Sequence, residues 1–290
     1  MYPGFPDASA PPLVVPGGTL LLFPCVPLLR GCPAIHFRPV LHPAPKKRMP
    51  KRIDVTPEAT HCSTCMLSEI CLPEGMVHVD VEKLDDLVKT RIRVPRGKAL
   101  YHLGDDAEAV YGIRSGSLKT QLEDATGHVQ ITGFLLPGEI IGLDGLVDNR
   151  HVSHAVALED SEVCVIRLDD MDELARHFPP LQHQFRKLMS KEINRSHQLV
   201  RALGSLRSEQ RLAAFLLNLS QRLHTLGYSP TEFLLRMSRE EIGNYLGLTL
   251  ETVSRLFSRF AKDGLVRVHQ REVQILDMQA IRELSGSDCG

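Results

Sequence analysis

The sequence has almost no net charge: 34 Lys and Arg stand against 35 Asp and Glu, a formal −1 at pH 7. The total alone therefore points to no partner. It also lacks an uninterrupted apolar run of the ~20 residues that a membrane helix needs. The nearest approach, Leu13–Leu29, is broken by Pro16, Gly17, Gly18, Pro24 and Pro27. With no basic start and no small-residue cleavage site, this stretch is not read as a signal peptide either. An even cysteine count is missing as well. There are seven, three of them within ten residues, which argues against a secreted disulfide framework and for metal binding in a reducing, cytoplasmic compartment. Nor is there the HxH cluster with trailing carboxylate of a cupin-type metal enzyme. His102 and His128 stand alone, and Glu139 precedes the one close pair, His151 and His154. Each of these histidines reads as surface or core filler, and no enzyme is expected.

What is present is an uneven distribution of charge. Residues 61–185 carry 11 Lys/Arg and 21 Asp/Glu, net −10, whereas residues 186–290 carry 16 and 11, net +5. An acidic front and a basic back suit a sensor joined to a nucleic-acid binder. Apolar residues make up 43% of the chain, enough for real cores, and its length allows two domains. The expected division is a disordered Pro/Gly-rich tail over 1–58, a cysteine loop and β-sheet sensor domain over 59–168, a dimerisation helix region over 169–206, and a winged helix-turn-helix domain over 207–290. Met49 stands just before the patterned region, so translation of 1–48 is an open question. Cys25, Cys32 and Cys289 are assigned no role.

Residues 92–168 alternate short apolar runs with turns at Gly97, Gly104-Asp105-Asp106, Ser115-Gly116-Ser117, Ala125-Thr126-Gly127 and Pro137-Gly138. Strands at this regular spacing predict an antiparallel sandwich or barrel. Asp169–Leu206 reads as helix, with a first part, Asp170–His177, ending near Pro179-Pro180 and a long helix beyond. Met189, Ile193, Ser196, Val200 and Leu203 recur at the alternating four- and three-residue spacing of a coiled-coil seam. A single buried helix has the same stripe, but the length and the polar remainder favour a homodimer. Arg207–Leu226 is a further amphipathic helix.

The stretch Ser238–Gly264 organises the C-terminal part. Ser238 and Glu241 have the spacing of a capping box, Gly247 breaks the first helix, Thr249 caps a second, and Gly264 stops it. In that second helix Val253, Leu256, Phe257 and Phe260 share a core-facing stripe. The other face carries Glu251, Thr252, Ser254, Arg255, Ser258 and Arg259, with Thr249 at its start. Arg can bond guanine O6 and N7, a carboxylate can accept from cytosine N4, and Ser can adapt, so this face is suited to a DNA major groove. Two apolar strands, Leu265–Val268 and Glu272–Leu276, follow as a wing.

Cys62, Cys65 and Cys71 lie on one short loop, where three thiols can wrap a metal centre, either zinc or an iron–sulfur cluster. A fourth ligand is then missing. His61 is adjacent, and Cys164 lies on the predicted strand Glu162–Arg167; taken by itself, Cys164 reads as a buried structural residue.

Together these segments resemble the CRP/FNR superfamily of bacterial regulators, and within it the oxygen-sensing FNR (fumarate and nitrate reduction) type. The resemblance is carried by CSTCMLSEIC at 62–71, ITGFLLPGEIIGLDGL at 131–146, SEVCVIRLDDMDEL at 161–174, RLAAFLLNLSQR at 211–222 and IGNYLGLTLETVSRL at 242–256. It implies an α+β fold: a β-roll sensor like a cyclic-nucleotide domain, a long dimerisation helix and a winged helix-turn-helix. It further implies that Cys62, Cys65, Cys71 and Cys164 ligate an oxygen-labile [4Fe-4S] cluster, which promotes Cys164 to fourth ligand. Glu251, Ser254 and Arg255 are by the same token expected to read a TTGAT half-site in an inverted repeat of double-stranded DNA. The loop Asp124–His128 is expected to touch RNA polymerase, and the regulator to act mainly as an activator of anaerobic metabolism genes.

Two departures stand out. Nucleotide-binding members carry an adjacent Arg-Ser or Arg-Thr pair for the cyclic phosphate; here Arg150 is followed by His151-Val152-Ser153, so cyclic AMP is not expected. At the position of Ser196 the best-known FNR-type proteins carry an acidic residue that holds subunits apart, so weaker control of dimerisation is expected here.

Overall fold

The computed structural model describes Cys65, residues 90–177 and residues 179–286. The expected tail over 1–58, and the expected ligands Cys62 and Cys71, lie outside the described residues.

Eight strands form the sensor half: β1 (Thr90–Val94), β2 (Ala99–Tyr101), β3 (Ala109–Ser115), β4 (Leu118–Glu123), β5 (Val129–Leu135), β6 (Ile140–Ile141), β7 (His154–Ala157) and β8 (Ser161–Arg167). They make two antiparallel sheets of order β1-β8-β3-β6 and β2-β7-β4-β5, a β-roll. Strand side chains alternate between faces, so Ile113, Leu118, Ala155 and Val163, each at most 1% exposed, meet between the sheets. Their neighbours in sequence, Cys164 among them, point to the opposite face.

Helix α1 (Leu168–His177) leaves the roll, and α2 (Pro179–Ser205) follows. Proline is suited to the first turn of a helix, where its missing N–H has no intrahelical partner. Along α2 the seam is unpartnered in the single chain: Ile193 is 55% and Val200 69% exposed, Ser196 is exposed, and Met189 is half-buried. Leu203 is half-buried against the chain's own Gly247. Among the described residues, no helix is long and apolar enough to cross a membrane.

The C-terminal half comprises α3 (Ser208–Thr225), β9 (Glu232–Leu234), α4 (Arg239–Leu246), α5 (Leu250–Lys262), β10 (Val266–His269), β11 (Glu272–Ile275) and α6 (Met278–Leu284). Leu212 and Leu216 of α3, Ile242 of α4 and Val253 of α5 are fully buried in one core. The wing is three-stranded, β10-β11-β9, rather than the expected two, because Glu232–Leu234 pairs with β11. The capping box forms: Glu241 N donates to Ser238 Oγ at 3.1 Å and Ser238 N to Glu241 Oε2 at 2.7 Å. Ser238→Ala is expected to lower stability by about 1 kcal/mol, read as a lower urea midpoint at unchanged slope.

The two halves share polar contacts that no local pattern announces. β5 is an edge strand, and α4 covers its open hydrogen-bonding groups. There Ile131 N donates to Asn244 Oδ1 at 2.5 Å, and Asn244 Nδ2 to Val129 O at 2.7 Å. Lys119 reaches the cap residue Glu241 at 2.9 Å. Glu139, on the turn before β6, accepts from Arg222 of α3 at 2.7 Å and 2.9 Å and from Arg195 of α2 at 2.8 Å. One carboxylate thus ties the roll to both helices.

Candidate thiol centre and nucleic-acid interface

Cys164 sits mid-strand on β8, paired with Arg91 of β1 on one side and Gly112 of β3 on the other. Gly112 leaves that flank free of a side chain; a Cβ there would lie 4.0 Å from Cys164 Cβ. Two residues along, Glu162 accepts from Arg114 at 2.8 Å and lies 3.6 Å from Arg91, whose side chain is 3% exposed. Cys65, the one member of the 62–71 loop among the described residues, comes to the same place. It interacts electrostatically with Arg114 and with Cys164, and Cys164 in turn with Arg91. Burial pushes the Cys164 thiol up and Cys65 adds to this, while Arg91 and Arg114 oppose them. Without a metal, Cys164 is therefore a protonated thiol at neutral pH, and metal ligation there releases a proton.

Two soft sulfur donors, half-buried and beside two guanidinium groups, fit a thiolate-held iron–sulfur or zinc centre. Among the described residues, no three His, Cys, Asp or Glu side chains are placed to hold a metal ion. The set expected at this centre needs Cys62 and Cys71 in addition.

A second cluster lies in the β6–β7 connection, around the 3-10 turn Leu143–Gly145. Asp144 accepts from Val152 N at 3.1 Å, Ser153 N at 3.0 Å, Ser153 Oγ at 2.7 Å and the Tyr101 hydroxyl at 3.3 Å. His151, 1% exposed, stacks on Tyr101 at 3.6 Å and places Nδ1 3.2 Å from Asp144. Burial alone would raise the Asp144 carboxyl, but hydrogen bonds from His151, Ser153 and Val152 hold it below the usual range. Two backbone N–H groups and a hydroxyl aimed at one point make an anion cradle, and here the chain's own carboxylate occupies it. Arg150, with its side chain 66% exposed, turns toward Asp106 instead. This arrangement opposes an incoming phosphate by like charge. Sequence reasoning treated His151 as filler and did not find its partners, because the contacts depend on the fold of the connection.

The nucleic-acid candidate is α4–turn–α5. Gly247 takes the left-handed conformation at φ 63°, and Thr249 Oγ1 accepts from Thr252 N at 3.2 Å to start α5. Gly243 permits the tight turn, since a Cβ there would lie 2.6 Å from Leu248 O. Arg239 stacks over Phe257 at 3.5 Å and fastens α4 to α5; burial pulls its guanidinium down to about 10, so it remains charged at neutral pH. On the outer face Glu251, Ser254, Arg255, Ser258 and Arg259 are exposed, with Thr249 exposed and Thr252 half-buried. Its own backbone N–H and the Thr249 hydroxyl hold the Glu251 carboxyl below the usual range, so it is an acceptor at neutral pH. Arg259 is tied to Glu209 of α3 and lies 3.6 Å from Asp263, which leaves Arg255 as the less encumbered arginine of the face. The loop Asp124–His128 is an exposed hairpin tip in which Asp124 accepts from Thr126 and His128 N–H groups at 2.8 Å and 3.0 Å.

Residues 91–178 match the family model of the cyclic nucleotide-binding domain, and residues 210–284 that of the Crp-like helix-turn-helix domain. The chain is 64% identical over 240 residues to the transcriptional regulatory protein btr of Bordetella pertussis, covering 83% of this chain and 99% of that one. It is 39% identical over 242 residues to the fumarate and nitrate reduction regulatory protein of Escherichia coli, covering 83% and 97%. Among solved structures, FixK2 from Bradyrhizobium japonicum superposes with a TM-score of 0.64 at 27% identity, over 69% of this chain and 98% of that one. The relatives named here are regulatory proteins. With the β-roll, the long helix and the winged helix-turn-helix in place, these matches make the chain a member of the CRP/FNR family of DNA-binding transcription regulators.

Proposed function

We propose that this regulator is an oxygen-responsive switch for anaerobic metabolism genes, acting mainly as an activator and as a cytoplasmic homodimer. The observation that carries the reading is the meeting of Cys65 with Cys164 beside Arg91 and Arg114. Cys62, Cys65, Cys71 and Cys164 hold a [4Fe-4S] cluster in this reading. When bound, the cluster supplies an oxygen-labile centre whose loss changes the protein around it. Every other part of the mechanism belongs to the chain's own residues. Cys164 is fixed on a central strand, so holding Cys65 to it draws the loop onto the outer face of β1-β8-β3. Glu139 then links the roll through Arg195 to α2 and through Arg222 to α3. The seam of exposed Ile193, Ser196 and Val200, flanked by half-buried Met189 and Leu203, is the surface on which two α2 helices pair. Pairing sets two recognition helices about one DNA turn apart, ~34 Å, to match an inverted repeat. Glu251, Ser254 and Arg255 read a TTGAT-type half-site, Thr249, Thr252, Ser258 and Arg259 support them, and the Asp124–His128 tip meets RNA polymerase.

The switch requires that the loaded state favour the dimer by a differential free energy, ~1.4 kcal/mol for each tenfold shift. The decisive experiment is an absorption spectrum of protein purified without oxygen, repeated in air, with iron and sulfide assayed on the same sample. The expected result is a brown protein with about four iron per subunit that bleaches in air. A colourless protein that resists anaerobic reconstitution and carries zinc would remove the oxygen sensor and leave the DNA-binding dimer.

A further inference from the structure

The outer face of β1-β8-β3 concentrates positive charge in a half of the chain that is otherwise acidic. Arg91 and Arg93 of β1, Arg114 of β3 and, among the described residues, a single carboxylate, Glu162 of β8, converge around Cys164. Arg93 has its side chain 73% exposed and is solvated, whereas Arg91 is 3% and Arg114 35% exposed. One Glu162 oxygen serves both of the latter, at 3.6 Å and 2.8 Å, so among the described residues the pair retains an excess positive charge after Glu162 is satisfied. Buried excess charge is costly unless it has a partner. In addition, the Nε–H groups of Arg91 and Arg114 are both buried and have no hydrogen-bond partner among the described residues. An unmet buried donor costs ~1–3 kcal/mol, and here two of them lie beside the same pair of thiols. Each guanidinium also interacts electrostatically with a thiol, Arg91 with Cys164 and Arg114 with Cys65.

Four thiolates around a centre of two positive charges leave a net charge of about −2. Such a centre needs local cations and N–H donors to its sulfurs, and outer partners of this kind tune both affinity and potential. The register supplies them, because Arg91 stands directly across from Cys164. We propose that Arg91 and Arg114, held by Glu162, are positioning residues of the thiolate centre, neutralising its charge and donating hydrogen bonds to its sulfurs. This rests on the reading of Cys65 and Cys164 as ligands, but it applies to a cluster and to zinc alike.

The test uses the full chain, purified and reconstituted anaerobically, as wild type and as Arg91→Gln, Arg91→Lys and Arg114→Gln. Retention of iron is followed under an anaerobic EDTA challenge. The iron–sulfur stretching bands are recorded by resonance Raman in H₂O and D₂O, where hydrogen bonds to sulfur give a deuterium shift. Arg91→Gln is expected to lose iron about tenfold faster, with a smaller deuterium shift, and Arg91→Lys to recover most of the retention. Equal retention and equal shifts in wild type and both glutamine variants would overturn the proposal and leave the arginines as a bridge across the sheet. Should circular dichroism show that Arg91→Gln does not fold, the partly exposed Arg114→Gln carries the same comparison. If the wild type holds zinc in place of iron, the cluster reading fails separately, and zinc retention in the same variants decides this proposal. A wild type that binds neither metal ends both.

Discussion

Cys164→Ser yields a folded protein that no longer holds iron. The substitution exchanges one atom on a strand paired on both sides, Thr90–Val94 with Ser161–Val165 and Ala109–Ser115 with Glu162–Arg167. The hydroxyl has Arg91 within reach, so the fold loses little. On the proposed reading the metal centre would lose a ligand that the sheet holds rigidly and would be left with residues of a single loop. Iron and sulfide per subunit are expected to fall to background after anaerobic reconstitution, while the far-ultraviolet circular dichroism and the melting point of the apoprotein stay near wild type. Specific DNA binding should drop to the level of air-treated wild type. Iron retained at full stoichiometry in Cys164→Ser would withdraw Cys164 as a ligand and turn attention to His61, adjacent to the cysteine loop.

That contrast marks where the sequence is readable and where it is not. The helix-turn-helix was legible because its determinants are local. Ser238 and Glu241 close a box three residues apart, Thr249 caps through Thr252, and the buried residues of α5 repeat at helical spacing. The β-roll was legible as a class, since glycine-marked turns punctuate short apolar runs. By contrast, Cys164 in isolation looks like any small residue in a strand, and only its resemblance to a family motif singled it out. What the fold adds is the register that sets Arg91 against it, a partnership across 73 positions that no spacing rule contains. Asp144 is a similar case. Its role as an internal anion depends on Val152 and Ser153 folding back over it. Strand β9 escaped because three residues give no period to read, and its pairing is with β11, some forty residues on. The links from Glu139 to Arg195 and Arg222 likewise join segments that have nothing in common until the chain is folded.

Arg255→Ala is expected to weaken sequence discrimination sharply while leaving the fold intact. Arg255 is exposed on α5, one position from the fully buried Val253–Leu256 side of the helix, and alanine is a better helix former, so stability should not fall. Its loss of a base contact is worth ~1–3 kcal/mol per half-site. In a two-fold dimer the loss occurs twice, once in each half-site. The measurement is a titration of the loaded dimer against the inverted repeat and against scrambled DNA of the same length, at one fixed salt concentration. Affinity for the repeat should collapse toward that for the scrambled duplex, whose own binding, carried by phosphate contacts, changes far less. Arg259→Ala should have the smaller effect on discrimination, because Glu209 and Asp263 already engage that guanidinium. Glu251→Gln adds an independent check. It removes the charge of a carboxylate that the α5 N-terminus keeps ionised and replaces one acceptor oxygen facing cytosine by an NH2 donor, without disturbing the Thr249 cap that accepts from Thr252. If Arg255→Ala bound the repeat as tightly as wild type, the reading face would have to be sought elsewhere on the domain, with the three-stranded wing and its Arg267 and Arg271 as the next surface to test.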